Sequence, residues 1–295
     1  MPALEAWLRA QGVPPGALAL VANTHWHCDH AGGNYHLQTR YGTPGAAAGP
    51  DAARVNARAP DACAAAWLHQ PVEPYAVART LAPGDVPDTG RAQLRVLATP
   101  GHTAHHLSFW DAKSGVLLAG DLFHAHDAGW LNPCDGPAAL HQSLASLAAV
   151  AALPLRLAVS GHGPVLAAPA AALAAARQRL TRWLAEPEAA ARHAAKRVFA
   201  YAPMLEAGGW GPAAYRAYVA AAPWLRDVAA VSFGTTAAAL AEQLTAGFRA
   251  AGVFVDGANG HLQVTTPHVA PAAGWARGPG RVADWPPAGP VKMRL

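Results

Sequence analysis

THWHCDHAGGN, residues 24–34, places three imidazoles and a carboxylate within six positions: His25, His27, Asp29 and His30. Imidazole nitrogen and carboxylate oxygen are the usual ligands of zinc, and they also suit iron and manganese. The His-x-His spacing lets two side chains converge on one ion, while Asp29 and His30 turn toward a second. The segment follows an apolar run, ALALVAN at 17–23, which reads as a buried strand. The cluster itself reads as a loop at the strand's mouth.

Outward from this point, three further candidates each follow a predicted strand. Pro100-Gly101-His102-Thr103 follows a strand at 93–99. Gly120-Asp121 follows a strand at 115–119, paired with SFW at 108–110 around a turn at 111–114. Gly161-His162-Gly163 follows a strand at 156–160. Strand ends in an α/β sheet face one edge, where sites are built.

The ordered set His-x-His-x-Asp-His, Gly-His-Thr, Gly-Asp and Gly-His-Gly resembles the metallo-β-lactamase-fold hydrolase superfamily over roughly residues 17–166. The resemblance implies an α/β fold, an αββα sandwich, with two divalent ions, zinc first and iron or manganese as alternatives. It implies that His25, His27 and His102 hold one ion, that Asp29, His30 and His162 hold the other, and that Asp121 bridges them. It further implies a bridging hydroxide as nucleophile, with Asp29 helping to orient water in some members. Gly32-Gly33-Asn34 and the seven-ligand set are similar to the hydroxyacylglutathione hydrolase branch, although the match to any one subgroup is loose. A bridging aspartate is typical of thioesterase, lactonase and nuclease branches. The family carries several strands before the histidine cluster, whereas only 24 residues precede His25 here. The expectation is an N-terminally short first sheet with an uncovered edge, which is a reason to form a homodimer.

Elsewhere, helices are expected at 3–11, 49–69, 137–152, 169–185, 188–207, 212–222 and 235–251, and a hairpin at 254–264 with Asp-Gly and Asn-Gly turn signals. Three helices and a hairpin at this end resemble a winged-helix-like appendage. The expected organisation is a metal-binding domain over 1–166, a helical winged-helix-like region over 167–266, and a Pro/Gly/Ala-rich tail over 267–295 that reads as disordered.

Composition bounds the function. The chain has 295 residues, 52% of them hydrophobic, 14% charged and 75 of them Ala, so large core side chains come chiefly from Leu, Val and the ten Trp. A net charge of +4 with only three Lys gives no block of like charge for nucleic acid or a membrane surface. No apolar run reads as a membrane span or signal peptide, and three Cys make no disulfide framework, so a cytoplasmic setting is the expectation.

Cys28 reads as a small filler, and His105, His106, His124 and His126 as polar or structural residues, with one of the pair 105/106 a possible partner to a ligand. Asp127, Trp130 and Asn132 read as a pocket wall. Arg177, Arg179, Arg182, Arg192, Lys196 and Arg197 read as a solvated helix face. The leading expectation is a binuclear metallohydrolase cleaving a thioester, lactone or related acyl bond of a small metabolite. The alternatives are a phosphodiester nuclease, a mononuclear iron oxidase of the same fold, and a truncated metal-binding relic without turnover.

Overall fold

The computed structural model describes residues 1–70, 72–204, 208–257 and 259–265. After helix α1 (Pro2–Ala10), a parallel sheet forms in the order β1 (Val21–Ala22), β2 (Gly45–Ala48), β3 (Arg79–Leu81). Helices α2 (Cys28–Ala31), α3 (Asn34–Tyr41), α4 (Gly49–Asn56) and α5 (Ala65–Leu68) connect its strands. A second, four-stranded sheet runs in the order β4 (Leu94–Ala98), β5 (Leu107–Asp111), β6 (Val116–Gly120), β7 (Leu157–Ser160). Helix α6 (Gly136–Ala151) joins β6 to β7, and Pro137 lies in its first turn as expected.

The layers follow from strand alternation. In β2, Ala46 and Ala48 face the second sheet with Leu81, Val96, Leu107 and Phe109. Ala47 between them faces the helices with Cys28, Ala52 and Val55. In β6, Leu117 and Ala119 pack under α6 and α7 (Pro169–Ala185) with Phe123, Leu147 and Leu180. Helix, sheet, sheet and helix therefore stack as the αββα sandwich. Helices α8 (Pro187–Met204), α9 (Pro212–Ala221), α10 (Pro223–Phe233) and α11 (Ala237–Ala250) close around Trp224, Leu225 and Leu240 with the hairpin β8 (Phe254–Asp256) and β9 (Leu262–Val264).

Direction in the second sheet sets the site. β4 pairs antiparallel with β5 and β5 antiparallel with β6, while β6 and β7 are parallel. β4, β6 and β7 thus end at one edge, and each runs straight into a candidate ligand.

Several expectations need correction. The buried strand at 17–23 is only the two-residue β1, with Val21 half-buried and Ala22 exposed, because it pairs on one side alone among the described residues. The cluster is not wholly a loop: the His27 carbonyl accepts the His30 and Ala31 N–H groups at 3.0 and 2.8 Å, starting α2. The helix at 49–69 is broken, since Pro60 lacks a donor and Arg58, Cys63 and Ala64 adopt left-handed backbone. Strands β2 and β3 and helix α10 were not foreseen. The tail over 267–295 and the end of the 188–207 helix lie outside the described residues.

Replacing Leu117, fully buried between the second sheet and α6/α7, with Ala is expected to cost about 2–5 kcal/mol. A denaturant midpoint shifted downward with an unchanged slope would show it.

Candidate metal centre

Three imidazoles from two chain segments meet at the end of the second sheet. His102 Nε2 lies 3.1 Å from His25 Nε2 and 2.9 Å from His27 Nδ1. A neutral imidazole has one N–H. His102 spends its own on the Trp130 carbonyl at 2.5 Å, so its bare Nε2 faces two other ring nitrogens. Ligands of a tetrahedral zinc at ordinary bond lengths stand about 3.3 Å apart. The observed spacing is that of ligands around a cation.

A second set adjoins the first. His162 Nε2 lies 3.3 Å from His30 Nε2, 3.1 Å from Asp29 Oδ2 and 3.4 Å from Asp121 Oδ2. Asp121 joins the sets: its Oδ1 is 3.3 Å from His30 Nε2, and its Oδ2 is 3.6 Å from His102 Nε2. Asp121 Oδ1 is buried without a hydrogen bond, the situation of an oxygen suited to coordinate a cation. The groups His25–His27–His102, His25–His30–Asp121 and Asp29–His30–His162 each bring their ligand atoms within 4.8 Å of one another.

The backbone makes room for this. A Cβ on Gly161 would stand 2.2 Å from Asp121 Oδ1 and 2.6 Å from His30 Cε1, so no side chain fits there. Gly120 turns the chain at a φ of +55°, and a Cβ there would meet His106 Nε2 at 2.6 Å. His106, wholly buried, fixes Asp121. The Asp121 backbone N–H donates to His106 Nε2 at 3.0 Å, so the ring proton is on Nδ1 and is donated to Thr99 Oγ1 at 2.8 Å. The chain continues to Ser108 Oγ at 2.9 Å and ends on the Ala119 carbonyl at 3.2 Å.

Burial holds the imidazoles neutral and ready to ligate: it lowers His27 to about 4 and His25 and His102 well below the usual histidine range, the last two aided by the neighbouring rings. Burial opposes ionisation of Asp29, but the bond from His162 and the fields of His30 and His27 outweigh it and hold the carboxyl at about 2. The same contest, with the bond from His162 and the field of His30, leaves Asp121 far below the carboxylate range. Those bonds to Asp121 and Asp29 push His162 up to about 10.

All seven ligand candidates named from the sequence come together here. Other residues read more weakly in sequence also acquire places. His105 pairs with the buried Asp51 at 2.7 Å, away from the cluster. Cys28 turns aside to Gln70 Oε1 at 3.1 Å, and burial raises its thiol far above the ordinary range. His124 is buried rather than an ordinary loop residue. The arginine stretch is in part an ion cluster: Arg179, His193 and Arg197 stand 3.0, 3.3 and 4.0 Å from Asp127. Trp130 walls the site, 6.0 Å from the His27 ring, and its indole N–H donates to Ala194 of α8 at 3.2 Å. The paired glycine signal at 120 and 161 was present in the sequence, but the His106 relay was visible only as a second histidine beside His105.

Two outcomes are expected. Because the bonds to Asp121 and Asp29 favour the protonated His162 ring, loading a cation there is expected to release protons, measurable by calorimetry in buffers of differing ionisation enthalpy. His106→Leu strands the Asp121 N–H and costs about 1–3 kcal/mol, while His105→Leu, outside the relay, leaves metal affinity unchanged; chelator competition separates the two.

Over residues 1–162 the chain matches the family described as the Metallo-beta-lactamase superfamily. It is 39% identical over 154 residues to a protein of Thiobacillus denitrificans named hydroxyacylglutathione hydrolase, covering 51% of this chain and 48% of that one. A protein of the same name from Chelativorans sp. is 30% identical over 144 residues, covering 49% and 47%. The chain thus spans about half the length of these relatives. A solved metallo-beta-lactamase family protein from Thermus thermophilus superposes with a TM-score of 0.50 at 23% identity, covering 88% of this chain and 84% of that one. A metallo-beta-lactamase from Cronobacter sakazakii gives 0.52 at 20% identity, covering 64% and 84%. These two likenesses concern the fold alone. With more than half of its length matched and the seven side chains gathered at one sheet edge, the chain belongs to the metallo-beta-lactamase superfamily.

Proposed function

We propose that this protein is a binuclear metal-dependent hydrolase that cleaves an acyl bond, a thioester before a lactone, in a small metabolite. The observation that carries the reading is the place of Asp121, within 3.6 Å of His102 on one side and 3.3–3.4 Å of His30 and His162 on the other. In this reading His25, His27 and His102 hold one ion, Asp29, His30 and His162 the other, and Asp121 both. The nitrogen and oxygen donor set suits zinc, and also iron or manganese. Divalent ions bound this way supply Lewis acidity and an activated water at neutral pH.

The chain's own groups do the rest. Asp29 is half-exposed and ionised, so it orients the attacking water as an acceptor. The buried imidazoles stay neutral and take no proton from it. Cys28, turned to Gln70 and protonated, is no nucleophile. The substrate approaches under α8, where Arg197 and Tyr201 are four residues apart and share a helix face. Arg197 lies beside Asp127, and its charge is felt at His124. Burial, with the fields of Cys28 and Asp29, raises Tyr201 to about 12, so its hydroxyl stays a donor. A guanidinium and a phenol at the mouth suit a substrate with a carboxylate. The relatives named hydroxyacylglutathione hydrolase support a thioester.

Elemental mass spectrometry of the purified protein tests this first. Two equivalents of divalent metal are expected, falling toward one in His162→Ala. Chelated protein should lose thioester hydrolysis and regain it with zinc. A folded chain without metal, or turnover of phosphodiesters alone, would sink the proposal.

A further inference from the structure

We propose that His124 is a positioning residue whose Nε2 accepts the outer N–H of the His162 ring and thereby fixes the second half of the metal centre. The inference rests on the binuclear reading above.

The argument begins at Ser160. Its hydroxyl has one proton, and it donates that proton to the Phe123 carbonyl at 2.9 Å. Ser160 Oγ must therefore accept the hydrogen bond it shares with His124 Nδ1. His124 is then the Nδ1–H tautomer, and its Nε2 is a bare lone pair. That nitrogen is buried and has no hydrogen-bond partner. An unpaired buried acceptor is costly, so a donor is called for. Solvent does not reach the atom. His124 is also absent from every group of side chains whose ligand atoms converge within 4.8 Å.

The neighbour that supplies a donor is His162. Its ring centroid lies 5.6 Å from that of His124, with the planes at 68°. His162 Nε2 points at Asp29 and Asp121, which leaves Nδ1 as the outer nitrogen. Two imidazoles sharing an N–H···N bond of about 3 Å have centroids roughly 5.3 Å apart. The observed 5.6 Å is near that value; the two rings are not hydrogen-bonded in the structure as it stands, and the proposed bond forms as the His162 ring settles on its ion. Ligating histidines regularly donate their other N–H to a fixed acceptor. His102 already has one in Trp130. His162 needs one more than His102 does, because it stands half-exposed between Gly161 and Gly163, the latter at a φ of +88°. The resulting chain runs from His162 through His124 and Ser160 to the Phe123 carbonyl. It does for the second ion's histidine what the His106 relay does for Asp121.

The two nitrogens of His124 can be tested separately. Asn places an amide near the Nδ1 position and Gln places one near Nε2. Metal affinity is measured by chelator competition and stoichiometry by elemental mass spectrometry, for wild type, His124→Phe, His124→Asn, His124→Gln and Ser160→Ala. His124→Phe and His124→Asn should keep one tight equivalent and weaken the second by about 10–100-fold. His124→Gln should hold the second within a few-fold of wild type. If His124→Phe does not fold, the Asn and Gln pair decides. A second equivalent as tight in His124→Asn as in wild type overturns the inference, and so does equal weakening of both equivalents. Nitrogen NMR of the zinc-loaded wild type should show His124 protonated on Nδ1; an Nε2–H tautomer would contradict the chain. A wild type that binds fewer than two equivalents overturns the binuclear reading itself, whereas two equivalents with no difference among variants overturns only the role of His124.

Discussion

An ionised carboxylate held between imidazoles inside the protein is the constraint from which the rest of the structure follows. Asp121 is almost fully buried, and burial alone would neutralise it. It remains charged because His162 and His30 stand against it. Its backbone N–H is tied through His106, Thr99 and Ser108 to the strand it follows. Its neighbours give up side chains for it: a Cβ on Gly161 would strike its carboxylate, and one on Gly129 would lie 1.7 Å from its carbonyl oxygen. Packing that crowded leaves the carboxylate a single position, the one that serves both groups of histidines.

The sandwich provides the frame that makes this possible. β4, β6 and β7 end at one edge, so three ligand candidates distant in sequence arrive together, while the first sheet delivers the other four from the turn after β1. Alanine in β2 lets the sheets and helices approach closely on both faces. The helical end of the chain is joined to the site rather than appended at a distance. Trp130 links them through a single residue, its carbonyl holding His102 and its indole holding α8.

The candidate ligand set was legible in the sequence because metal chemistry restricts residue types and spacing. His25, His27, Asp29, His30, His102, Asp121 and His162 each carried a signal of their own or a strand just before them. The second sheet was legible for the same reason as most antiparallel hairpins, since its runs of Leu, Val and Phe are bounded by glycine. The first sheet was not. GAAA at 45–48 has no β-branched residue, and its strand character comes wholly from burial between two layers. The break in the helix at 49–69 rests on left-handed residues that carry no glycine to announce them. Helix α10 did carry its signals, Pro223 at the start and Gly234 with a positive φ at the end, but its Ala-rich surroundings blurred the boundary. The roles of His106 and His124 depend on which nitrogen carries the proton, and only their partners reveal that.

Asp127 is shared by Arg179, His193 and Arg197, side chains from two helices that meet on one half-buried carboxylate in the loop beyond Asp121. Such a contact is screened by salt more than the enclosed histidine cluster is. Ionic strength therefore acts on the two parts of the site differently. Added salt weakens the hold of α7 and α8 on the loop more than it disturbs the buried side chains beneath. The rim of the cluster thus answers to its ionic surroundings, while the buried side chains beneath it answer to packing.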